Sequence, residues 1–276
     1  MMSSKNRNSG MFIAHHGVNR FSRMRLIVVA TVLLAGGTVT AETNAQKKTE
    51  SGASAQRAKS VLKEALTAMG GKALLGARDM SVSFTITSYT PQGSTSYAMQ
   101  NQYARPDKIR QTTKFDFGEV IVGFDGSVGW VKNPEGVEEL PESQKEETRS
   151  ISLWILYDIL QSIDKKLYTF EYLRTGSEEG SKIHEISARH KDMKEPIRLF
   201  IDDQWKFVVK KIVRRRGPEG LIDVEEILSD FRTVQGVKVP FRLTYQTPSI
   251  KVGDIVVDEV KVNSGLAPAL FKKPKP

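Results

Sequence analysis

The sequence predicts an α+β domain: one large, curved, mostly antiparallel sheet of about eleven strands, with helices packed on its concave face. Three observations predict it. From Met80 onward, apolar residues recur with period two through almost the whole chain. Short turn signals, not helices, separate these runs, so there is no strand–helix–strand rhythm. Two segments break the pattern with helical spacing, one ahead of the strands and one in their middle. An antiparallel sheet this large must curl, and a greasy helix that interrupts it can close the concave side.

The first element is an export signal over residues 1–41. Lys5, Arg7, Arg20, Arg23 and Arg25 precede an apolar run from Leu26 to Ala35, and no acidic residue lies among them. Val39-Thr40-Ala41 supplies a small-residue cleavage pattern, with Thr43-Asn44-Ala45 as a second candidate. Translation from Met11 or Met24 would shorten the long basic region. The apolar run is short for a membrane span, which sets cleavage against the alternative of an uncleaved anchor helix. Residues 42–53, ETNAQKKTESGA, are small and polar and predict a flexible linker. The folded domain then occupies 54–276.

Ser54 to Met69 is the first helix. Ala58, Val61, Leu62, Ala65, Leu66 and Met69 fall on one face, Ser54 is the candidate cap, and Gly70-Gly71 ends it. The KALLGA stretch predicts a further short turn of helix. In the first strands Val82, Phe84 and Ile86 alternate with polar residues, then Met99 and Tyr103, then Lys108 to Phe115, then Val120, Val122 and Phe124. Asp125-Gly126 is a hairpin signal before Val128–Val131. After a charged break at 142–149 comes RSISLWILYDILQSI. Leu153, Trp154, Leu156, Tyr157, Leu160 and Ile163 recur at helical spacing, and most of the remaining positions are apolar too. Strands resume at Leu167–Leu173, Lys182–His190, Pro196–Ile201, Trp205–Arg216, Leu221–Phe231, Val237–Gln246 and Ile250–Val262.

Composition excludes several function classes. The net charge of +9 falls to +4 once the signal is removed, and Lys272, Lys273 and Lys275 sit in the tail. Nothing in that balance calls for nucleic acid. The chain has no cysteine, which rules out disulfides, thiol catalysis and a lipidated N-terminal thiol. His184 and His190 share one strand face but lie roughly 20 Å apart at the strand rise, too far to ligate one metal. There is no H-E-x-x-H or G-x-S-x-G. Gly70-Gly71-Lys72 leaves a helix instead of opening one and is no phosphate loop. Glu225 and Glu226 point to opposite faces of a strand. Asp202-Asp203 reads as a turn, and Trp130, Trp205 and Phe207 as core. Lys210, Lys211, Arg214, Arg215 and Arg216 alternate over both faces of a strand end. They read as a solvated hairpin tip, or else as a surface for anionic head groups or an acidic partner.

A set of local patterns carries a family resemblance. EALTAMGGKALL (Glu64–Leu75), YARPDKIR (Tyr103–Arg110), VGFDGSVGW (Val122–Trp130), LFIDDQWKFVVKK (Leu199–Lys211), DFRTVQGVKVPFRL (Asp230–Leu243) and VNSGLAPALF (Val262–Phe271) occur in that order. Together they resemble the outer-membrane lipoprotein-sorting-like proteins, the LolA/LppX-type half-barrels. The resemblance implies an open curved sheet wrapped on its concave side by helices, a cavity for acyl chains or lipoprotein, and a periplasmic home. Many relatives start with a lipidated cysteine; this chain has none and is expected to be soluble. The arginine that locks the lid in true lipoprotein carriers has no assigned counterpart here, so energy-coupled transfer is not carried over.

The expected ligand-facing residues are Val82, Phe84, Ile86, Met99, Tyr103, Phe115, Val122 and Phe124 from the sheet, with Leu153, Trp154, Leu156, Tyr157 and Leu160 from the second helix. The same stripe would equally complete an ordinary core. The function expected is passive holding of lipid or lipoprotein acyl chains, with no cofactor, an envelope acceptor protein for release and transient membrane contact. The rival readings are a protein-interaction or sensor module of the same fold, and an enzyme acting on envelope lipid or glycan. A carrier requires a continuous apolar space of several hundred Å³.

Overall fold

A computed structural model describes residues 41–142, 144, 154–217 and 220–275. Residues 1–40 of the expected 1–41 signal and Leu153 lie outside the described residues, as does the side chain of Trp154. Helix α1 spans Ala41–Ala68 and α2 Lys72–Leu75. Six strands follow: β1 Asp79–Thr90, β2 Gly93–Ala104, β3 Lys108–Phe115, β4 Gly118–Phe124, β5 Gly129–Asn133 and β6 Gly136–Glu139. Helix α3 is Trp154–Gln161. The second run is β7 Tyr168–Glu178, β8 Ser181–His190, β9 Ile197–Asp202, β10 Val208–Gly217, β11 Gly220–Val234, β12 Val237–Gln246 and β13 Lys251–Val262. A 3₁₀ turn at Pro268–Phe271 ends the fold.

All thirteen strands form one sheet in the order β6-β5-β4-β3-β2-β1-β13-β12-β11-β10-β9-β8-β7. Every neighbouring pair is antiparallel, and most are simple hairpins. The one non-sequential pairing joins β1 to β13, from Met80 opposite Val262 to Ser88 opposite Gly253. The sheet is therefore two meanders zipped along that seam, with β6 and β7 as free edges. The chain between those edges carries α3, which packs onto the concave face.

Turn chemistry matches the sequence. Asp125 Oδ1 accepts hydrogen bonds from the Ser127 and Val128 amides and closes the β4–β5 corner. Gln235 and Gly236 both have positive φ and form the two-residue turn between β11 and β12. Gly70 sits at φ 135, and a Cβ there would lie 2.7 Å from the Gly236 carbonyl. The end of α1 thus docks on the β11–β12 turn because glycine leaves room for it.

Three expectations need correction. Residues 42–53 are not a linker but continue α1, which begins at Ala41. Extending an existing helix requires no new nucleation, and nothing in this stretch is proline. Ser54 accordingly lies inside the helix and caps nothing. Its hydroxyl donates to the Tyr172 carbonyl at 3.1 Å and accepts from the Tyr172 amide at 2.9 Å, fastening α1 to edge strand β7. The sheet also has thirteen strands, because the short edge strand β6 (GVEE) offers no alternation for a sequence reading to detect.

Candidate functional site

Strand register decides which side chains share the concave face. Directly opposed residues point the same way. Met80, Val82, Phe84 and Ile86 on β1 oppose Tyr103, Asn101, Met99 and Tyr97 on β2. Those lead to Ile109, Gln111 and Thr113 on β3, with Phe115 next in that alternation, and on to Phe124 and Val122 on β4. All eight sheet residues picked from the sequence therefore lie on one face. Burial is graded along it. Val82, Phe84, Tyr103 and Phe124 are buried in one core cluster with side chains of α1 and α3. Ile86, Met99, Phe115 and Val122, toward the β1–β2 and β3–β4 turns, are only half-buried. There Tyr97 packs on Phe115 at 5.4 Å, and Phe115 stacks on Phe117, which is 68% exposed.

Helix α3 closes the other end. Leu156, Tyr157, Ile159 and Leu160 are fully buried, so the helix is apolar on nearly all sides. Polar anchors hold it at three points. The Tyr157 hydroxyl donates to the Lys238 carbonyl at 3.1 Å. Gln161 Nε2 donates to the Leu74 and Ala77 carbonyls at 2.5 and 2.9 Å. Tyr168 donates to Asp158 Oδ2 at 2.8 Å. Beside α3, where the β2–β3 turn approaches β7 and β8, lies a cleft of about 220 Å³ lined by Asp107, Ile109, Ile155, Leu167 and Tyr168 among others. That is below the usual size of a ligand pocket.

The concave face also holds a polar group in the middle of its apolar surroundings. Lys211 on β10 opposes Glu226 on β11, and Glu226 opposes Tyr245 on β12. Lys211 Nζ lies 2.9 Å from Glu226 Oε2, and both side chains are 0% exposed. Arg215 Nη2 donates to Glu226 Oε1 at 3.0 Å, its side chain 22% exposed. Burial pushes the Lys211 ammonium below its ordinary pKa despite the pull of Glu226. Burial likewise raises the Tyr245 phenol well above its ordinary value, helped by the Glu226 charge. Asn101, on the facing β2, donates to the Tyr103 hydroxyl at 2.7 Å.

No family model matches this chain, and no curated protein matches it. Solved structures do. An outer membrane lipoprotein-sorting protein domain from Vibrio parahaemolyticus superposes with a TM-score of 0.55 at 13% identity, covering 79% of this chain and 97% of its own. A LolA superfamily protein from Nitrosomonas europaea gives 0.56 at 16% identity, over 78% and 97%. A DUF1329 family protein from Desulfovibrio piger gives 0.54 at 12% identity over the same shares. The chain has the LolA-type half-barrel fold. At these identities the likeness concerns fold alone.

The remaining sequence candidates sit in the half-barrel as follows. Glu225 and Glu226 do face opposite ways, Glu225 bonding Gln246 on the outside. The basic run does split, but it is not simply a solvated tip. Lys210 and Arg214 pair outside with Glu178 and Asp223, whereas Lys211 and Arg215 enter the concave face. The signal for this was present: Lys211 shares the parity of Val213, and Glu226 stands between inward-facing Val224 and Leu228. Asp202 forms the expected turn, accepting from the Gln204 and Trp205 amides. Trp205 is not core; it lies on that turn, 63% exposed. Trp130 is core, its indole donating to the Phe271 carbonyl at 2.9 Å.

Sequence reasoning missed that His184 and Asp203 meet. Asp203 Oδ1 lies 2.8 Å from His184 Nε2, and the Tyr172 hydroxyl 2.7 Å from Nδ1. Hydrogen bonds from His184, Lys206 and Lys182 hold the Asp203 carboxyl far below the usual range. The carboxylate can only accept, so in a neutral ring Nε2 carries the proton and Tyr172 donates to Nδ1. Arg57 of α1 lies over the Tyr172 ring at 3.9 Å, so this chain of bonds ends on the helix and serves to dock it. Among the described residues no group of three or more His, Cys, Asp or Glu side chains could hold a metal. No helix among them is long and apolar enough to cross a membrane.

Proposed function

We propose that the protein is a periplasmic binding or carrier protein that holds the acyl chains of lipid or lipoprotein against the concave face of its half-barrel. One observation carries the reading. The apolar concave surface runs on from the core, from buried Val82 and Phe84 to half-buried Ile86, Met99 and Phe115 at its margin. The protein's own helices leave that end unfinished, and an acyl chain would complete it. Each methylene buried there contributes about 0.8 kcal/mol, so affinity needs no special residue. The LolA-type fold and the sorting role named for one structural neighbour point the same way. The export signal supplies the compartment.

The mechanism is passive. Cargo enters at the β1–β2 and β3–β4 end, extends toward α3, and leaves when an acceptor in the envelope binds it more tightly. No bond is made or broken, and no cofactor takes part.

The test is mass spectrometry of lipid extracted from the mature protein, purified from periplasm without detergent, beside Ile86→Glu. Ile86 is chosen because it is half-buried; a charge at enclosed Leu156 would test folding instead. Stoichiometric lipid in the wild type, lost in an Ile86→Glu variant with unchanged melting, supports the reading. Lipid in neither sample overturns it in favour of the protein-interaction module.

A further inference from the structure

The Lys211–Glu226–Arg215 group is costly where it stands. Two basic side chains share one carboxylate on the concave face, in a low-dielectric setting. Its hydrogen-bonding capacity is not fully used. Arg215 Nε, a donor, is buried and has no hydrogen-bond partner. Such atoms cost free energy unless something meets them.

The group is also reachable. Ile222, directly opposite Arg215, is 37% exposed, and Tyr245 and Asn101 are half-buried. Tyr245 opposes Gly253 on β13, and Gly253 opposes Ser88, one inward position beyond Ile86 on β1, so this part of the group lies toward the half-buried end of the trough.

We infer that Arg215, backed by Lys211 and Glu226, is the head-group site of the half-barrel and selects an amphiphile carrying a single anionic head, a phosphate or carboxylate. This rests on the acyl-binding reading above. Three features favour an anion. Two basic side chains face one carboxylate there, and the Arg215 guanidinium is the one that reaches solvent. The free Nε–H adds to an already oriented guanidinium, whose planar fork suits two oxygens of one anion. The surrounding apolar wall excludes water, which strengthens a charge-assisted bond. Glu226 holds both cations in place, Lys211 by its ion pair and Arg215 by its hydrogen bond, so the fork is preorganised before ligand arrives. A neutral amphiphile would offer the Arg215 Nε–H no charged acceptor.

The experiment is isothermal titration calorimetry of the mature protein with three probes below their micelle concentrations: dodecyl phosphate, a neutral dodecyl polyoxyethylene ether, and inorganic phosphate. The wild type should bind dodecyl phosphate about tenfold or more tighter than the ether, the size expected of one good charge-assisted pair. Arg215→Leu should abolish that preference while binding the ether as before. Arg215→Lys should keep part of it. If Arg215→Leu folds poorly, Ile222→Glu replaces it: the new carboxylate competes for Arg215 and should weaken dodecyl phosphate alone.

Equal wild-type affinity for both amphiphiles, or a preference that survives Arg215→Leu and Ile222→Glu, overturns the head-group site and leaves the acyl-binding reading standing. Inorganic phosphate binding as tightly as dodecyl phosphate makes this a free-anion site and overturns the amphiphile assignment. Failure of both amphiphiles to bind overturns the acyl-binding reading itself, and this inference with it.

Discussion

Lys211→Met should be among the most damaging single substitutions in this protein. Lys211 and Glu226 are both fully enclosed at 2.9 Å. Losing the lysine leaves Glu226 buried with Arg215 as its remaining cation. Breaking a buried pair of this kind costs about 3–5 kcal/mol, because the surviving charge keeps its desolvation penalty. For a domain of this size each kcal/mol moves the melting temperature by about 2–4 °C, so the drop should be roughly 6–20 °C. Removing both partners is different. In Lys211→Met/Glu226→Leu no enclosed charge remains, and partly exposed Arg215 can turn to water. That double variant should recover most of the loss. The assay is a double-mutant cycle by urea and thermal unfolding, with coupling of at least about 2 kcal/mol expected. A single-mutant cost under about 1 kcal/mol, or simple additivity, would refute the claim that this pair is closed off from water.

Three further outcomes follow from the geometry. In Gly123→Ala the new Cβ would lie 2.1 Å from the Trp130 ring, so calorimetry should show a loss of at least about 1–3 kcal/mol from overpacking. Ser54→Ala removes both hydrogen bonds between α1 and the Tyr172 backbone; it should cost about 1–3 kcal/mol and speed hydrogen exchange at the Tyr172 amide. Glu185 is enclosed on the outer face, and although burial alone would raise it, hydrogen bonds from Arg174 and Arg198 hold its pKa below the ordinary value. A depressed carboxyl contributes stability above its unfolded pKa, about 4.3, and loses it as pH falls through the native value. Acid titration of Glu185→Gln should therefore show a shallower loss of stability below about pH 4.3 than the wild type, and parallel curves would count against it.

Much of this fold was legible in the chain. Period-two alternation located most of the thirteen strands, because one face of each is covered and the other wet. Gly70, Asp125-Gly126 and Gly236 marked corners whose backbone demands those residues. The eight sheet residues expected on one face do share it, since alternation transmits faithfully through paired strands. Other features were not legible. Strand β6 is too short and too charged to show a period. Residues 42–53 carry no apolar stripe, so their helix gave no signal. Trp205 looked like core because large aromatics usually are, yet it occupies a turn held open by Asp202.

Sequence alone determined that the chain forms one large antiparallel sheet and which apolar positions of its first four strands share a face, because those depend on local periodicity and on the absence of any competing element. Only the tertiary structure decided what the inward positions meet. Joining β1 to β13 puts the two meanders into one curved surface. It also turns half of a basic run into an enclosed ion group, since burial depends on which strands flank Lys211 and Glu226 and not on their own sequence. The same packing tells Val82 from Ile86: identical in pattern, one is buried in the core shared with α1 and α3, and the other is only half-buried at its margin.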